Sequence, residues 1–157
     1  MIEIERKFLV TSEAFKKEAF KQTRILQGFL NTHPERTVRV RVKGQQGFIT
    51  VKGISNKAGT TRKEWEKKIP VSEAEMLLKL CEKDVIEKIR YEIKVGNHLY
   101  EVDEFSGNNT GLLVAEIELS NEEETFEKPN WLGQEVTGEL KYYNSLLSKN
   151  PFKNWKS

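Results

Sequence analysis

Along residues 1–10, MIEIERKFLV, polar and apolar side chains take turns. Glu3, Glu5 and Lys7 share one side of an extended chain, and Ile2, Ile4, Phe8 and Val10 belong to the other. Period-two alternation predicts a strand, because successive side chains of a strand point to opposite faces. The same alternation predicts strands at RILQGFLN (24–31), TVRVRVKG (37–44), FITVKG (48–53), TRKEWEKKIP (61–70), VIEKIRYEIKV (85–95), HLYEVDEF (98–105) and LLVAEIELS (112–120). Two stretches carry helical spacing instead. SEAFKKEAF (12–20) follows a candidate N-cap at Ser12, and VSEAEMLLKLCEK (71–83) places Ala74, Leu77, Leu78 and Cys81 on one face, with Ser72 and Glu75 reading as a capping box. A third short helix is expected over GELKYYNSLLS (138–148), ahead of a basic, aromatic tail. Hairpin-length turns such as Gly96-Asn97 imply antiparallel pairing. The reading is an α+β, mainly β chain: one domain over residues 1–157, an eight-stranded antiparallel barrel with helices packed outside.

The faces opposite the apolar ones are almost entirely ionic. Arg39, Arg41 and Lys43 fall together, as do Thr50 and Lys52; Arg62, Glu64, Glu66 and Lys68; Lys88, Arg90, Glu92 and Lys94; Glu101 and Asp103; Glu116 and Glu118. Solvent-facing strands ordinarily mix neutral polar residues with charges. Here the signs are segregated, and exposed ion pairs stabilise too little to select such an arrangement. If the first and last strands close the barrel, an acidic patch faces a basic wall. A divalent cation with a polyanion would balance both. An outer-membrane barrel also has a polar interior, but Arg6, Lys63, Lys67 and Glu87 on the outer faces argue against it.

Composition narrows the picture. With 26 basic and 24 acidic residues the net charge is only +2, which gives no global field for gripping nucleic acid. The single cysteine, Cys81, excludes a disulfide framework and reads as a buried structural thiol. No stretch reaches the ~20 apolar residues of a spanning helix, and acids precede any apolar run at the N-terminus. The expectation is a cytoplasmic protein with no membrane partner; a homodimer is compatible with the sequence.

Hard oxygen ligands favour Mg²⁺ or Mn²⁺, and neither histidine, His33 or His98, has ligand spacing. Arginine and lysine supply charge-assisted donors to phosphate oxygens. Phosphoryl transfer needs mainly positioning and charge stabilisation, and no GxxxxGK[ST] phosphate loop occurs.

EIERK resembles the ExExK signature of the CYTH family, the triphosphate tunnel metalloenzymes. RVRVKG, TVKG, TRKEWE, EKIRY, YEVDEF, AEIEL and GQEVTGELKYYN follow in family order over nearly the whole chain. The resemblance implies an eight-stranded tunnel acting on triphosphate compounds with a divalent metal. Glu3, Glu5, Asp103, Glu116 and Glu118 would serve the metal. Lys7, Arg39, Arg41, Lys52, Lys88, Arg90 and Lys141 would hold phosphates, joined by Arg62, with Lys88 and Glu5 closest to the chemistry. Similar small bacterial triphosphatases often carry tyrosine where this chain has Phe29; that tyrosine is thought to partner the lysine matching Lys88. The expected activity is metal-dependent hydrolysis of inorganic triphosphate. An adenylate cyclase, a thiamine triphosphatase and a non-catalytic polyphosphate-binding protein stay open as alternatives.

Overall fold

The computed structural model describes residues 2–155. In chain order the strands are β1 (Ile2–Val10), β2 (Lys21–Asn31), β3 (Arg36–Lys43), β4 (Gln46–Gly53), β5 (Thr61–Ile69), β6 (Ile86–Val95), β7 (His98–Phe105), β8 (Leu113–Glu118) and β9 (Leu132–Glu135). The helices are α1 (Phe15–Glu18), α2 (Val71–Leu78) and α3 (Asn144–Leu147). Every strand pairing is antiparallel, in the order β5-β4-β3-β2-β6-β7-β8-β1-β9. A further pairing of β1 with β5 joins the ends, so β1 to β8 close into a barrel.

β1 has different partners along its length. One edge pairs with β8 from Glu5↔Glu118 to Leu9↔Val114. The other edge pairs with β5 at Ile2↔Lys63, Glu3↔Arg62 and Ile4↔Thr61, then with β9 at Phe8↔Glu135 and Val10↔Leu132. Loops fill the gap between: Glu5 N–H donates to the Thr60 carbonyl at 3.0 Å and Lys7 N–H to Thr137 Oγ1 at 2.9 Å. The four-residue strand β9 lacks the alternating run that marks the others, and the sequence reading missed it.

The barrel is polar within and apolar without. Phe8, Tyr91, Ile93, Tyr100, Val102, Ala115 and Ile117 point outward into a core capped by Phe15 of α1, Leu119 and Trp131. On the far side α2 packs over β2 to β4. Glycines make room for it: a Cβ on Gly47 would lie 2.9 Å from Ala74 Cβ, and one on Gly28 2.9 Å from Cys81. Cys81 is only half-buried, with Sγ 3.4 Å from the Leu77 carbonyl.

A second core lies inside. The inward row of each contributing strand changes from charged to apolar toward one end: Lys7 gives way to Leu9, Asp103 to Phe105, Glu116 to Val114, Lys88 to Ile86. These residues meet Phe29, Leu112, Val136, Tyr142 and Leu147 in one cluster. Ion rows thus line only part of the barrel.

Three local expectations are corrected. Pro70, not Ser72, stands at the N-cap of α2, and no side chain caps it; proline's fixed φ suits the entry to a helix, and it displaces the start to Val71. The first helix is a single turn entered from Ala14, with Ser12 Oγ accepting only from the Ala14 N–H. The expected helix over 138–148 is broken: a 3₁₀ turn, Leu140–Tyr142, and α3 are separated by Tyr143 in an extended conformation (φ −70°, ψ 132°). No helix among the described residues is long and apolar enough to cross a membrane.

Gly47→Ala tests the tight seat of α2. Its added methyl meets Ala74 and the Ile69 carbonyl, both at 2.9 Å. Overpacking of this kind costs about 2 kcal/mol. Thermal denaturation should show Tm lower by roughly 5 °C for a chain of this size.

Candidate active site

Period-two alternation on strands from every side of the barrel brings the inward ions to one cavity of about 210 Å³. Glu3, Glu5 and Lys7 enter from β1; Arg39, Arg41 and Lys43 from β3; Lys52 from β4; and Arg62, Glu64 and Glu66 from β5. Lys88 and Arg90 come from β6, Glu101 from β7, and Glu116 and Glu118 from β8. A one-residue slip would turn every such row outward, so the apolar outer core fixes the register of the site.

The acidic residues divide into paired and unpaired. Glu3 accepts from Lys52 Nζ at 3.0 Å through both oxygens and lies 3.5 Å from Arg62. Burial opposes its ionisation, but Lys52 and Arg62 outweigh burial and hold its pKa below the ordinary value. Glu116 lies 3.4 Å from Arg90 and 3.9 Å from Lys7. Burial works against it too, yet Lys7 and Arg90 draw it down to about 2. Among the described residues Glu5 and Glu118, facing each other across β1 and β8, have no cation within ion-pair distance. Burial, then Glu116 and Glu3, push Glu5 up to about 8; burial, then Glu3, push Glu118 up as well.

The basic wall is equally unsatisfied. Arg39 reaches Thr50 Oγ1 at 3.2 Å and Glu66 at 3.4 Å, and Arg41 lies 3.8 Å from Glu66. The Nε groups of both arginines are buried without a partner. Burial depresses both pKa values, Arg90 adds to this for Arg39, and Arg39 and Arg90 repel Arg41. A buried unpaired donor is costly, and an incoming anion would relieve it.

Two residues assigned by resemblance lie elsewhere. Asp103 is a 2% exposed residue behind the wall. Its Oδ1 and Oδ2 accept from Arg90 Nε and Nη2 at 2.8 and 2.9 Å, and Lys88 Nζ lies 2.8 Å from Oδ2. Both oxygens are engaged by cations, and the carboxylate buttresses the basic wall from behind. Lys141 is exposed: its Nζ sits over the rings of Trp155 and Tyr142, 4.7 and 5.3 Å from their centroids, and is absent from the cavity lining. The extended residue Tyr143 turns the chain so that Tyr143, Asn144 and Ser145 line the cavity instead. The sequence signal for this was the polar YYNS run, which the reading absorbed into a helix.

Phe29 lines the cavity, but Lys88 is arranged around other groups. Its Nζ lies 5.4 Å from the centroid of Phe105 and 3.0 Å from Asn144 Oδ1. Burial lowers its pKa to about 8, against the opposing pull of Asp103.

Among the described residues no three His, Cys, Asp or Glu side chains converge tightly enough to hold a metal unaided. A hard divalent cation can be held by one or two carboxylates and complete its shell with other oxygen ligands. The unpaired Glu5 and Glu118, with Glu116 beside them, provide that kind of donor set.

The CYTH domain matches residues 1–149. The chain belongs to the CYTH family. It is 50% identical over 155 residues to an inorganic triphosphatase of Acetivibrio thermocellus, covering 98% of this chain and 97% of the relative. It is 36% identical over 152 residues to an inorganic triphosphatase of Nitrosomonas europaea, covering 94% and 97%. A crystal structure of an inorganic triphosphatase superposes with a TM-score of 0.67 at 34% identity, over 93% of this chain and 97% of that one.

The uncompensated carboxylate has a measurable consequence. A carboxyl whose folded pKa is about 8, against an ordinary 4.5, binds an extra proton in the folded state between those values. Stability therefore falls as pH rises through that window. In metal-free protein Glu5→Gln should remove this contribution, so Tm of the variant should rise relative to the parent between pH 5 and pH 9. Calorimetric scans in chelator at several pH values check it.

Proposed function

We propose that this CYTH protein hydrolyses inorganic triphosphate with the help of a divalent cation. One observation carries the reading: unpaired carboxylates and unpartnered buried guanidinium donors face the same cavity. Either set alone would take a simple counter-ion. Together they fit a metal cation and a polyanion bound side by side, and the family membership points the same way.

In this reading Arg39, Arg41, Lys52, Arg62, Arg90 and Lys7 bind the phosphate chain, while Glu5, Glu116 and Glu118 would hold Mg²⁺ or Mn²⁺. A metal bound there would neutralise phosphate charge and lower the pKa of coordinated water. The protein's part is positioning: the arginine wall fixes the anion, and Asp103 keeps Arg90 and Lys88 from turning away. Lys88 Nζ carries a proton at the cavity wall, where it can stabilise charge on a departing phosphate oxygen. Phe29 offers no proton to share with it. The ions dominate the lining, and its few other members (Phe29, Thr37, Tyr143, Asn144, Ser145) form no evident pocket for a base, which favours triphosphate over nucleotide.

Phosphate release from inorganic triphosphate, ATP and pyrophosphate, with and without added Mg²⁺ or Mn²⁺, tests the proposal. Triphosphate should be cleaved fastest, and chelator should stop turnover. Glu5→Gln and Glu116→Gln should each lower kcat by roughly 10²-fold. Full activity in chelator, or more cyclic AMP than ADP from ATP, would overturn it.

Residue placement makes a separate forecast. Arg41→Ala removes a charge-assisted donor and should weaken triphosphate binding more than tenfold, on the order of 1.5–3 kcal/mol. Lys141→Ala, outside the cavity, should change it less than about twofold. Equilibrium titration of both variants distinguishes them.

A further inference from the structure

Three consecutive residues of the C-terminal segment meet three cations of the cavity, Lys7, Arg62 and Lys88, with Lys7 touching two of them. The Tyr142 carbonyl accepts from Lys7 Nζ at 3.3 Å. The Tyr143 ring has Lys7 Nζ 4.9 Å and Arg62 Cζ 5.7 Å from its centroid. Asn144 Oδ1 accepts from Lys88 Nζ at 3.0 Å. The break between the 3₁₀ turn and α3 at Tyr143 accompanies this: one backbone carbonyl and two successive side chains meet the cations of one cavity.

Asn144 makes the most directional of these contacts. Its Oδ1 also accepts from Gln27 Nε2 at 2.8 Å, and Gln27 is completely buried on β2. The carboxamide oxygen is thus fixed by a buried donor at the same time as it meets Lys88. An ammonium has three N–H donors. Asp103 Oδ2 lies 2.8 Å from Lys88 Nζ as an ion-pair partner and Asn144 Oδ1 accepts a hydrogen bond, leaving donor capacity for the cavity that Lys88 lines. Asp103 alone would let the ammonium swing about its ion pair; two fixed acceptors define where the remaining N–H points.

We propose that Asn144 is a positioning residue that orients Lys88 toward the bound phosphate chain. Gln27 is the tether that keeps Asn144 in place. The inference deepens the proposed triphosphate reading and rests on it for the identity of the anion.

The test is a double-mutant cycle read by binding, which needs no turnover. Inorganic triphosphate is titrated calorimetrically, in chelator, into the full-length protein, Asn144→Ala, Lys88→Met and the double variant. Asn144→Ala should weaken binding roughly five- to tenfold in the parent. In the Lys88→Met background the same change should cost less than about twofold, because the contact it serves is gone. Equal losses in both backgrounds, or no loss in the parent, would overturn the proposal; a purely structural role for Asn144 would give the former. If Asn144→Ala does not fold, Gln27→Leu replaces it in the cycle. It removes the tether without touching the cavity and should show a smaller loss with the same dependence on Lys88, whereas a loss independent of Lys88 overturns the proposal. Failure of the native protein to cleave triphosphate would count against the proposed activity alone; the binding cycle judges Asn144 separately.

Discussion

The carboxylate of Asp103, buried between Arg90 and Lys88, is the interaction on which the rest of the interior depends. Arg39, Arg41, Arg90 and Lys88 all project into one barrel, and their mutual repulsion would favour opening it. Asp103 meets Arg90 in a bidentate pair and Lys88 in a second ion pair. Burial alone would raise its pKa, but Arg90 and Lys88 hold it well below the ordinary carboxylate range. Removing one member of such a buried set leaves uncompensated charge, a loss of about 3–5 kcal/mol. Arg39 and Arg41 share a single carboxylate, Glu66, at 3.4 and 3.8 Å and keep buried Nε groups without a partner, and that unsatisfied wall is what an anion meets.

The interior therefore sets stability against readiness to bind. Among the described residues Glu5 and Glu118 keep no cation partner, and Arg39 and Arg41 keep unpaired Nε groups, although any of these could have been replaced by groups that satisfy one another. The outer shell offsets the cost. Phe8, Phe15, Tyr91, Tyr100 and Trp131 pack outside the sheet, with edge-to-face contacts between Phe15 and Tyr91 and between Tyr100 and Trp131. In most globular proteins the sheet's core and its binding surface compete for one face; here each face of the strand serves one purpose.

Alternation made most of this legible in the sequence. The inward placement of Glu3, Glu5, Arg39, Arg41, Lys88, Arg90, Glu116 and Glu118 follows from the opposite placement of their apolar neighbours, and short turns between consecutive strands imply antiparallel pairing. What alternation cannot supply is where along a strand an inward residue sits. Asp103 and Glu101 share a face, yet one is locked behind the wall and the other lines the cavity. Leu9, Val114 and Phe105 continue the ionic rows and nevertheless build a core. Lys141, assigned by resemblance, lies in the 3₁₀ turn with its Nζ over Trp155, and the extended Tyr143 brings Tyr143 and Asn144 to the cavity instead; neither charge nor local propensity records that turn. Likewise β9 forms because β1 leaves an edge open beyond Ile4, and four residues have too short a pattern to announce themselves.

The division of β1 among three partners bears on the order in which the protein can assemble. β2 to β5 can pair as each emerges from its neighbour, and β6 to β8 likewise. β1 must wait for strands 57 to 127 positions later in the chain. Contacts of such separation form late, after much loop entropy has been lost. Glu3, Glu5 and Lys7 thus reach their cavity only when the barrel shuts, and the acidic half of the site exists only in the finished fold. Until then the first strand is an unpaired edge, and its alternate charges help keep it from pairing with another chain.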